Sequence, residues 1–276
     1  MNEPVDVVIV TYNSAAHLEA CVAAVRAWVA SGRVIVVDNA SGDESAAIAQ
    51  RVADEVVVAP VNCGYGAGQN LGAARVQTEF FVALNPDARL HGDAIDHGVR
   101  LLRERPRAAA VQGVIRRASD HGVERSFGRE PGIADLVAHR FHLRQRLGER
   151  ALKRLAPLVG ADYFTHRTPV EAVSATSFLA FVAPLVRTAA FRSVDGFDEE
   201  YFLYAEDVDL CHRLRLAGWG LLATQAEWAE HVGGASTAGR TDVKDAEWWR
   251  GHRRLVRQHW TGPRRAVGLV LVAGRG

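Results

Sequence analysis

Three carboxylates crowd the start of one amphipathic segment. Glu206, Asp207 and Asp209 fall within four positions of FLYAEDVDLCHRLRLAGW, residues 202–219. Val208, Leu210, Leu214 and Leu216 recur there at helical spacing, so the segment reads as a helix with one apolar face. Acidic residues in a first turn complement the positive end of the helix dipole, which accounts for many such clusters. The chemical alternative is a general base: a carboxylate beside a hydroxyl can take its proton while the oxygen attacks an electrophile.

A further carboxylate, Asp87, follows the apolar run Phe80–Leu84 in the tripeptide Asn85-Pro86-Asp87. At a strand end it can hold Mg²⁺ or Mn²⁺ that bridges two phosphates, because hard cations take oxygen ligands and retain waters. His231, in AEHVGG, is a candidate second ligand, and imidazole favours Mn²⁺ tolerance. A lone histidine is more often a surface or core residue. The stretch NCGYGAGQNLGAA, residues 62–74, holds Gly64, Gly66, Gly68 and Gly72. Such glycines let the backbone approach a ligand and offer amide donors at a helix N-terminus, which suits phosphate. A plain tight turn would also use them. The stretch is not the dinucleotide fingerprint, since it follows the third strand and lacks the acidic residue that should end the next one.

The elements that must position these groups alternate between two periodicities. Val5–Val10, Arg33–Val37, Glu55–Val58 and Phe80–Leu84 read as strands, and Ala15–Ala30, Asp43–Ala53 and Gly66–Val76 as helices. This β-α rhythm predicts an α/β fold with a mostly parallel, Rossmann-like sheet flanked by helices, its ligands beyond the carboxyl ends of the strands. Those ends carry Thr11-Tyr12-Asn13-Ser14, Asp38-Asn39 and Asn85-Pro86-Asp87. Ser14, Asp43 and Asp93 suit helix N-caps, whereas Asp38 and Asp87 are left over. Further strands are expected at Ala108–Ile115, Ser177–Val182 and Gly220–Thr224, and a short helix at Leu185–Ser193. Ile133–Leu158 reads as a basic amphipathic helix or helix pair broken at Gly148 and Pro157, either a solvated face or a surface for an anionic or lipid-linked partner.

Composition bounds the answer. The 276 residues are 48% hydrophobic, enough for one large α/β domain, and the net charge of +1 speaks against a nucleic-acid binder. Charge is uneven: Arg100–Arg154 carries 14 Lys and Arg against 6 Asp and Glu, leaving 19 against 26 elsewhere. Cys21, Cys63 and Cys211 are too few and scattered for a disulfide framework or zinc site and suggest a reducing compartment. MNEPVDVVIV has no basic leader or cleavage site, and no run approaches the roughly 18 apolar residues of a membrane span. The expectation is a cytoplasmic protein whose membrane contact, if any, is peripheral and at the inner face.

The ordered motifs TYN (Thr11–Asn13), VVDNASGD (Val36–Asp43), NCGYGAGQNLG (Asn62–Gly72), LNPDA (Leu84–Ala88), DGFDEEYFLYAEDVDLCHRLRLAGW (Asp195–Trp219) and HVGGAST (His231–Thr237) resemble glycosyltransferase family 2. Within it the chain is most similar to the bacterial rhamnosyltransferase-like branch, over Pro4–His259. The resemblance implies a GT-A fold, with residues 1–115 as the nucleotide-sugar-binding half and residues 116–276 as the acceptor-binding and catalytic half. It maps the base of an inverting, single-displacement transfer onto Asp207, with Glu206 supporting it and Asp209 facing the helix dipole or solvent. Thr11 and Asp38 would contact a pyrimidine base and ribose, and Tyr12, Asn13, Asn62, Gly64, Asn70 and Asn85 would complete the nucleotide pocket. Asp87 would hold the divalent cation, with His231 as second ligand.

The resemblance further implies a dTDP-sugar such as dTDP-rhamnose, or a UDP-sugar, as donor, and a glycan, lipid-linked or natural-product hydroxyl as acceptor. Ala175-Thr176-Ser177-Phe178 stands where relatives border the acceptor or sugar, and RRLVRQHW, residues 253–260, would bring Arg253, Arg254 or Arg257 near phosphate. Two other readings use the same Rossmann-like start: a nucleotidyltransferase, which needs a basic glycine-rich loop that TYNSAAHLEA lacks, and a catalytically silent nucleotide-sugar-binding module.

Overall fold

The β-branched run at the N-terminus forms β1 (Asp6–Thr11), all six residues of which are buried. Such a strand needs cover on both faces, which is the environment of a parallel sheet sandwiched by helices. In the computed structural model, which describes residues 3–29, 31–143, 146, 172–233 and 241–273, β1 is central. It pairs in parallel with β2 (Val34–Asp38) and β4 (Phe80–Leu84), and β2 pairs in parallel with β3 (Glu55–Val58). Helices α1 (Ala15–Trp28), α2 (Ser45–Val52) and α3 (Tyr65–Ala73) make the crossovers.

The chain continues through β5 (Ala88–Leu90), α4 (Ala94–Glu104), β6 (Ala108–Arg117), β7 (Phe127–Gly128) and α5 (Ile133–Arg140). After β8 (Val173–Thr176) and β9 (Phe178–Leu179) come β10 (Leu185–Arg187), α6 (Thr188–Arg192), α7 (Glu206–Leu216) and β11 (Gly220–His231). Helices α8 (Thr241–His259) and α9 (Gly262–Val272) follow. The nine-stranded sheet runs β3-β2-β1-β4-β10-β6-β11-β5, with β8 also on β11. Because β10 is antiparallel to both β4 and β6, and β6 is parallel to β11, strands β3, β2, β1, β4, β6 and β11 all point one way. Their carboxyl ends therefore meet along one edge. There Thr11 lies in register with Asp38, and His231 with Ala88, which follows Asp87.

One core cluster packs Leu18, Val22 and Trp228 on one face of the sheet, and another packs Phe81, Phe191 and Leu210 on the other. A small third cluster, Leu136, Trp249, Val256, Trp260 and Val272, joins α5, α8 and α9. Among the described residues no helix is long and apolar enough to cross a membrane.

Several elements differ from expectation for identifiable reasons. Leu185–Ser193 divides into β10 and α6 because Leu185 and Val186 are buried between β4 and β6, and Arg187 is anchored to Ala108 O, Leu102 O and Glu79. β11 runs past Thr224 to His231, with register shifts that hide its alternation, and buried Trp228 donates to Ala183 O at 2.7 Å. Ser177–Val182 supplies only the two residues of β9. Ser14 does not cap α1 with its hydroxyl, which donates to Tyr12 O, and Asp93 makes no side-chain cap. Asp43 instead accepts from Ala15 N (3.1 Å) and Ser45 N (2.9 Å), so one loop caps both helices. Of Ile133–Leu158, α5 takes the first part, while Gly148 and Pro157 lie outside the described residues, as do Ser236 and Thr237.

Candidate active site

A cavity of about 560 Å³ opens at the carboxyl edge of the sheet, large enough for a sugar nucleotide. Tyr12, Asn62, Gly64, Asn85, Asp87, Glu206, Asp207 and His231, all singled out from sequence, line it together. Thr11, Asn13, Asp38 and Asn70 are not part of the lining. Thr11 and Asp38 sit one residue behind Tyr12 and Asn39, and Thr11 Oγ1 and Asp38 Oδ1 are buried without a hydrogen-bond partner among the described residues. Asn13 points away, its Oδ1 accepting from Gly42 N at 2.7 Å, so it ties two loops together. Asn70 is also not a pocket residue. Its amide is spent on Phe197, donating to the carbonyl and accepting from the N–H, both at 2.9 Å, and on Glu199 at 3.0 Å.

The glycine-rich loop is held against the opposite wall. Gly64 has φ +89°, and a Cβ there would fall 2.3 Å from Phe202 O, so only glycine permits this approach. Tyr65 N donates to the same carbonyl at 3.1 Å. Asn39, absent from the sequence-derived set although it stands beside Asp38, fixes the loop from below. Its Nδ2 donates to Asn62 Oδ1 and Gly64 O, and its Oδ1 accepts from Cys63 N, all at 3.0 Å. Tyr65, Phe181 and Tyr204 also line the cavity and carried no sequence signal beyond their neighbours.

The acidic pair opens α7 after two left-handed residues, Tyr204 (φ +67°) and Ala205 (φ +68°). Strain of this kind costs of order 1–3 kcal/mol per residue and persists where surroundings enforce it. It turns the first helical turn into the cavity. Glu206 is buried, and its Oε2 has no partner among the described residues. Burial raises the carboxyl well above its ordinary range, and the neighbouring Asp207 charge raises it further. Burial likewise raises Asp207, partly offset by the N–H groups of Val208, at 2.8 Å from Oδ1, and Phe181. Two like charges this close titrate as a pair, so one proton is retained towards neutral pH. Asp209 corrects the expectation that it faces the dipole or solvent. It is buried, bound by Arg213 and His259 at 2.7 Å each, because α7 turns that side inward against α8.

His231 Nε2 lies 3.1 Å from Asp87 Oδ1, and its Nδ1 lies 2.9 Å from Glu124 Oε2. Burial alone would lower its pKa, but the hydrogen bonds to Asp87 and Glu124 outweigh this and raise it to about 9. No group of three or more His, Cys, Asp or Glu suited to a metal exists among the described residues. The donor set of Asp87 and His231, one carboxylate and one imidazole, would suit a divalent cation, with Glu124 orienting the ring from behind.

Other expectations fail on geometry. Arg254 is occupied by Asp198 and Glu200 and covers the Tyr201 ring, and Arg253 donates to Val272 O, so neither reaches the cavity. Ala175-Thr176-Ser177-Phe178 also lies off the lining. The Thr176 hydroxyl donates to Gly128 O at 2.7 Å, and Ala180–Val182 takes the place beside the acidic pair.

A largely parallel sheet with a strand-end cavity and an acidic pair on a following helix is the plan of a GT-A glycosyltransferase. In fold the chain is similar to residues 1–349 of S. aureus TarS in complex with UDP-GlcNAc, with TM-score 0.60 and 15% identity over 98% of this chain and 70% of that one. The family model for glycosyl transferase family 2 matches residues 6–170, and the chain belongs to that family. It is 30% identical over 239 residues to an N-acetylglucosaminyl-diphospho-decaprenol L-rhamnosyltransferase of Mycobacterium tuberculosis, covering 79% of this chain and 73% of the relative. It is 25% identical over 209 residues to rhamnosyltransferase WbbL of Escherichia coli K12, covering 72% of each. The chain is therefore a glycosyltransferase.

Proposed function

We propose that this enzyme transfers a sugar, with rhamnose the first candidate, from dTDP or UDP to a hydroxyl of a glycan, lipid-linked or natural-product acceptor, with inversion at the anomeric carbon. The observation that carries the reading is the convergence, on one cavity, of a buried acidic pair with raised pKa and the Asp87–His231 pair. Two relatives named as rhamnosyltransferases support the sugar, and one name specifying a diphospho-decaprenol acceptor supports a lipid-linked acceptor.

In this mechanism ionised Asp207 accepts the proton of the acceptor hydroxyl as its oxygen bonds to the anomeric carbon, and the bond from that carbon to the diphosphate breaks on the opposite face. No covalent sugar intermediate forms, so one carboxylate base suffices. Burial, reinforced by the Asp207 charge, favours the protonated form of Glu206, which leaves Glu206 as the neutral neighbour that steadies Asp207. Thr11 Oγ1 and Asp38 Oδ1, buried and without a partner among the described residues, lie one residue behind the lining and would accept from a pyrimidine ring N–H that reaches past Tyr12 and Asn39. Asp87 and His231 would hold a divalent cation, Mg²⁺ or Mn²⁺, which supplies charge neutralisation at the departing diphosphate. Residues 1–115 provide the donor side, and residues 116–276 the base and acceptor side. A lipid-linked acceptor would place the enzyme at the cytoplasmic face of the membrane as a peripheral protein.

The test is a thermal-shift panel of UDP-, dTDP- and GDP-sugars, each with and without Mn²⁺. A pyrimidine donor at a hundred times its Kd should add about 2.7 kcal/mol of stability. A metal-dependent rise for one pyrimidine sugar is expected, and a flat panel would refute the donor assignment.

A further inference from the structure

One polar side chain interrupts the buried apolar run of β6. Gln112 stands between Val111 and Gly113, is fully buried, and spends its amide on backbone groups. Its Nε2 donates to Ala180 O at 2.9 Å and to Ser126 O at 3.1 Å, and its Oε1 accepts from Ala183 N at 2.9 Å. Ala180 O also accepts from Val182 N at 2.8 Å, and Ser126 O from Ala180 N at 2.9 Å. Two of the three bonds therefore go to carbonyls that have a partner without Gln112, so the amide does more than satisfy stray polar groups. It spans the segment 180–183 from end to end.

That segment is a tight turn with Phe181 at its apex, since the Val182 N–H reaches back two residues. Ala180, Phe181 and Val182 line the cavity, and the turn fastens three of its walls together. The Phe181 N–H donates to Asp207 on α7. Phe181 O accepts from the Tyr65 hydroxyl on α3 at 2.8 Å, and Val182 O from Asn85 N beyond the end of β4 at 2.8 Å. Gln112 is not part of the lining and grips the turn from behind. A reacting group needs its geometry held to about 0.5 Å, which depends on what holds its own partners.

We propose that Gln112 is a positioning residue of the transfer reaction: by clamping both ends of the 180–183 turn it holds the Phe181 N–H against Asp207 and so fixes where that carboxylate sits. The inference rests on the reading of Asp207 as the base and adds to it a residue that touches neither substrate. Gln112 is neutral, so replacing it moves no charge. The ionisable groups that face Asp207 are Glu206 beside it, Cys211 one turn further along α7, Tyr65 from α3, and Asp87 and His231 in the same cavity, and all of them are retained. The Phe181 N–H favours the charged form of Asp207, so a loosened turn should make that carboxyl harder to ionise.

The experiment compares three variants of the full chain. Gln112→Met keeps the length of the side chain without its amide, and Gln112→Asn keeps an amide too short to span the turn. Arg187→Met cuts the bonds that anchor β10 where it pairs with Phe80, the first residue of β4, and controls for lost stability alone. The readouts are the Asp207 carboxyl titration by ¹³C NMR of aspartate-labelled protein, its line identified by its absence from Asp207→Asn, and kcat over the same pH range. All three variants should melt lower than wild type. In Gln112→Met the Asp207 midpoint should rise by about one pH unit, the scale of one hydrogen bond to a charged group partly lost, and in Gln112→Asn by less. On the acid side of the midpoint kcat should fall about tenfold and recover at alkaline pH, while Arg187→Met leaves the midpoint in place. A midpoint unmoved in the Gln112 variants that fold, or moved as far by Arg187→Met, overturns the proposal. A midpoint that rises while the pH dependence of kcat stays put upholds the clamp and refutes the base reading instead.

Discussion

Replacing Asp207 by Asn tests the base assignment with little disturbance of geometry. Asparagine keeps an oxygen for the Val208 N–H, 2.8 Å away in the native chain, so the first turn of α7 should stay in place. What the base assignment predicts to be lost is the carboxylate basicity that would take the acceptor proton, an effect worth about 10²–10⁴ in rate. The structure moderates the upper end. Without the Asp207 charge, Glu206 loses the repulsion that helps raise its pKa, ionises more readily, and can take over part of the work. The expected fall in kcat is therefore about 100- to 1000-fold, or roughly 3–4 kcal/mol. Donor Kd should be nearly unchanged, and adding Glu206→Gln should remove most of the residual rate. The assay is release of nucleoside diphosphate in the presence of acceptor, over a pH series. In the wild type the rate should climb with pH through a midpoint above the ordinary carboxylate range, because the pair is raised by burial. Stability runs the opposite way. The folded pair holds a proton that the unfolded chain has already released, so folding stability declines as pH rises from the ordinary carboxylate value to the raised one. The Asn variant should show a smaller decline, since burial still raises Glu206 but the repulsion from Asp207 is gone. Turnover within about twofold of wild type would refute the reasoning.

Three further outcomes follow from other parts of the site. Hydrogen bonds to Asp87 and Glu124 raise the pKa of His231 to about 9, so a role for its imidazole as a Mn²⁺ ligand predicts that Mn²⁺ affinity in the presence of nucleoside diphosphate rises about tenfold per pH unit below that value. A pH-independent affinity by calorimetry would remove His231 from the ligand set. Gly64→Ala forces a Cβ to within 2.3 Å of Phe202 O at φ +89°, so a loss of about 1–3 kcal/mol and weaker donor binding are expected, and an unchanged urea midpoint would contradict the close approach. Asp209→Ala strips the buried partner from Arg213 and His259, with an expected cost of about 3 kcal/mol in urea unfolding, at the low end because Arg213 keeps some solvent contact. A cost below about 1 kcal/mol would show that the network is not a buried ion cluster.

Local signals carried the legible part of the architecture. The β-branched runs, the polar residues that close them and the Glu206-Asp207 start of α7 all express themselves within a few positions of the chain, which is why the parallel half of the sheet is legible from local pattern, and much of the cavity lining from those motifs together with the family resemblance they carry. What could not be read was decided by distant partners. Leu185-Val186-Arg187 suits a helix or a strand equally. It becomes β10 because Arg187 finds Ala108 O and Leu102 O, 79 and 85 positions away. The family resemblance places Asn70, in the glycine-rich motif, with the pocket, but helical phase separates it from its neighbours. Tyr65 and Gln69, four apart, share the face that supports the cavity, linked at 3.2 Å, whereas Asn70 is rotated towards Phe197, 127 positions on.

That misplacement reveals how the two sides of the site are joined. Asn70 holds Phe197 from both directions, Tyr65 N holds Phe202 O, and Gly64 lets the two backbones touch. The segment thus gripped, residues 197–202, runs directly into Tyr204, Ala205 and the acidic pair. The glycine-rich loop that lines the cavity and the turn that aims Asp207 are therefore one mechanical unit, fixed by a few backbone contacts. In such a unit the left-handed strain at Tyr204 and Ala205 is sustained by the same contacts that shape this wall of the cavity, so the position of Asp207 depends on the integrity of the glycine-rich loop.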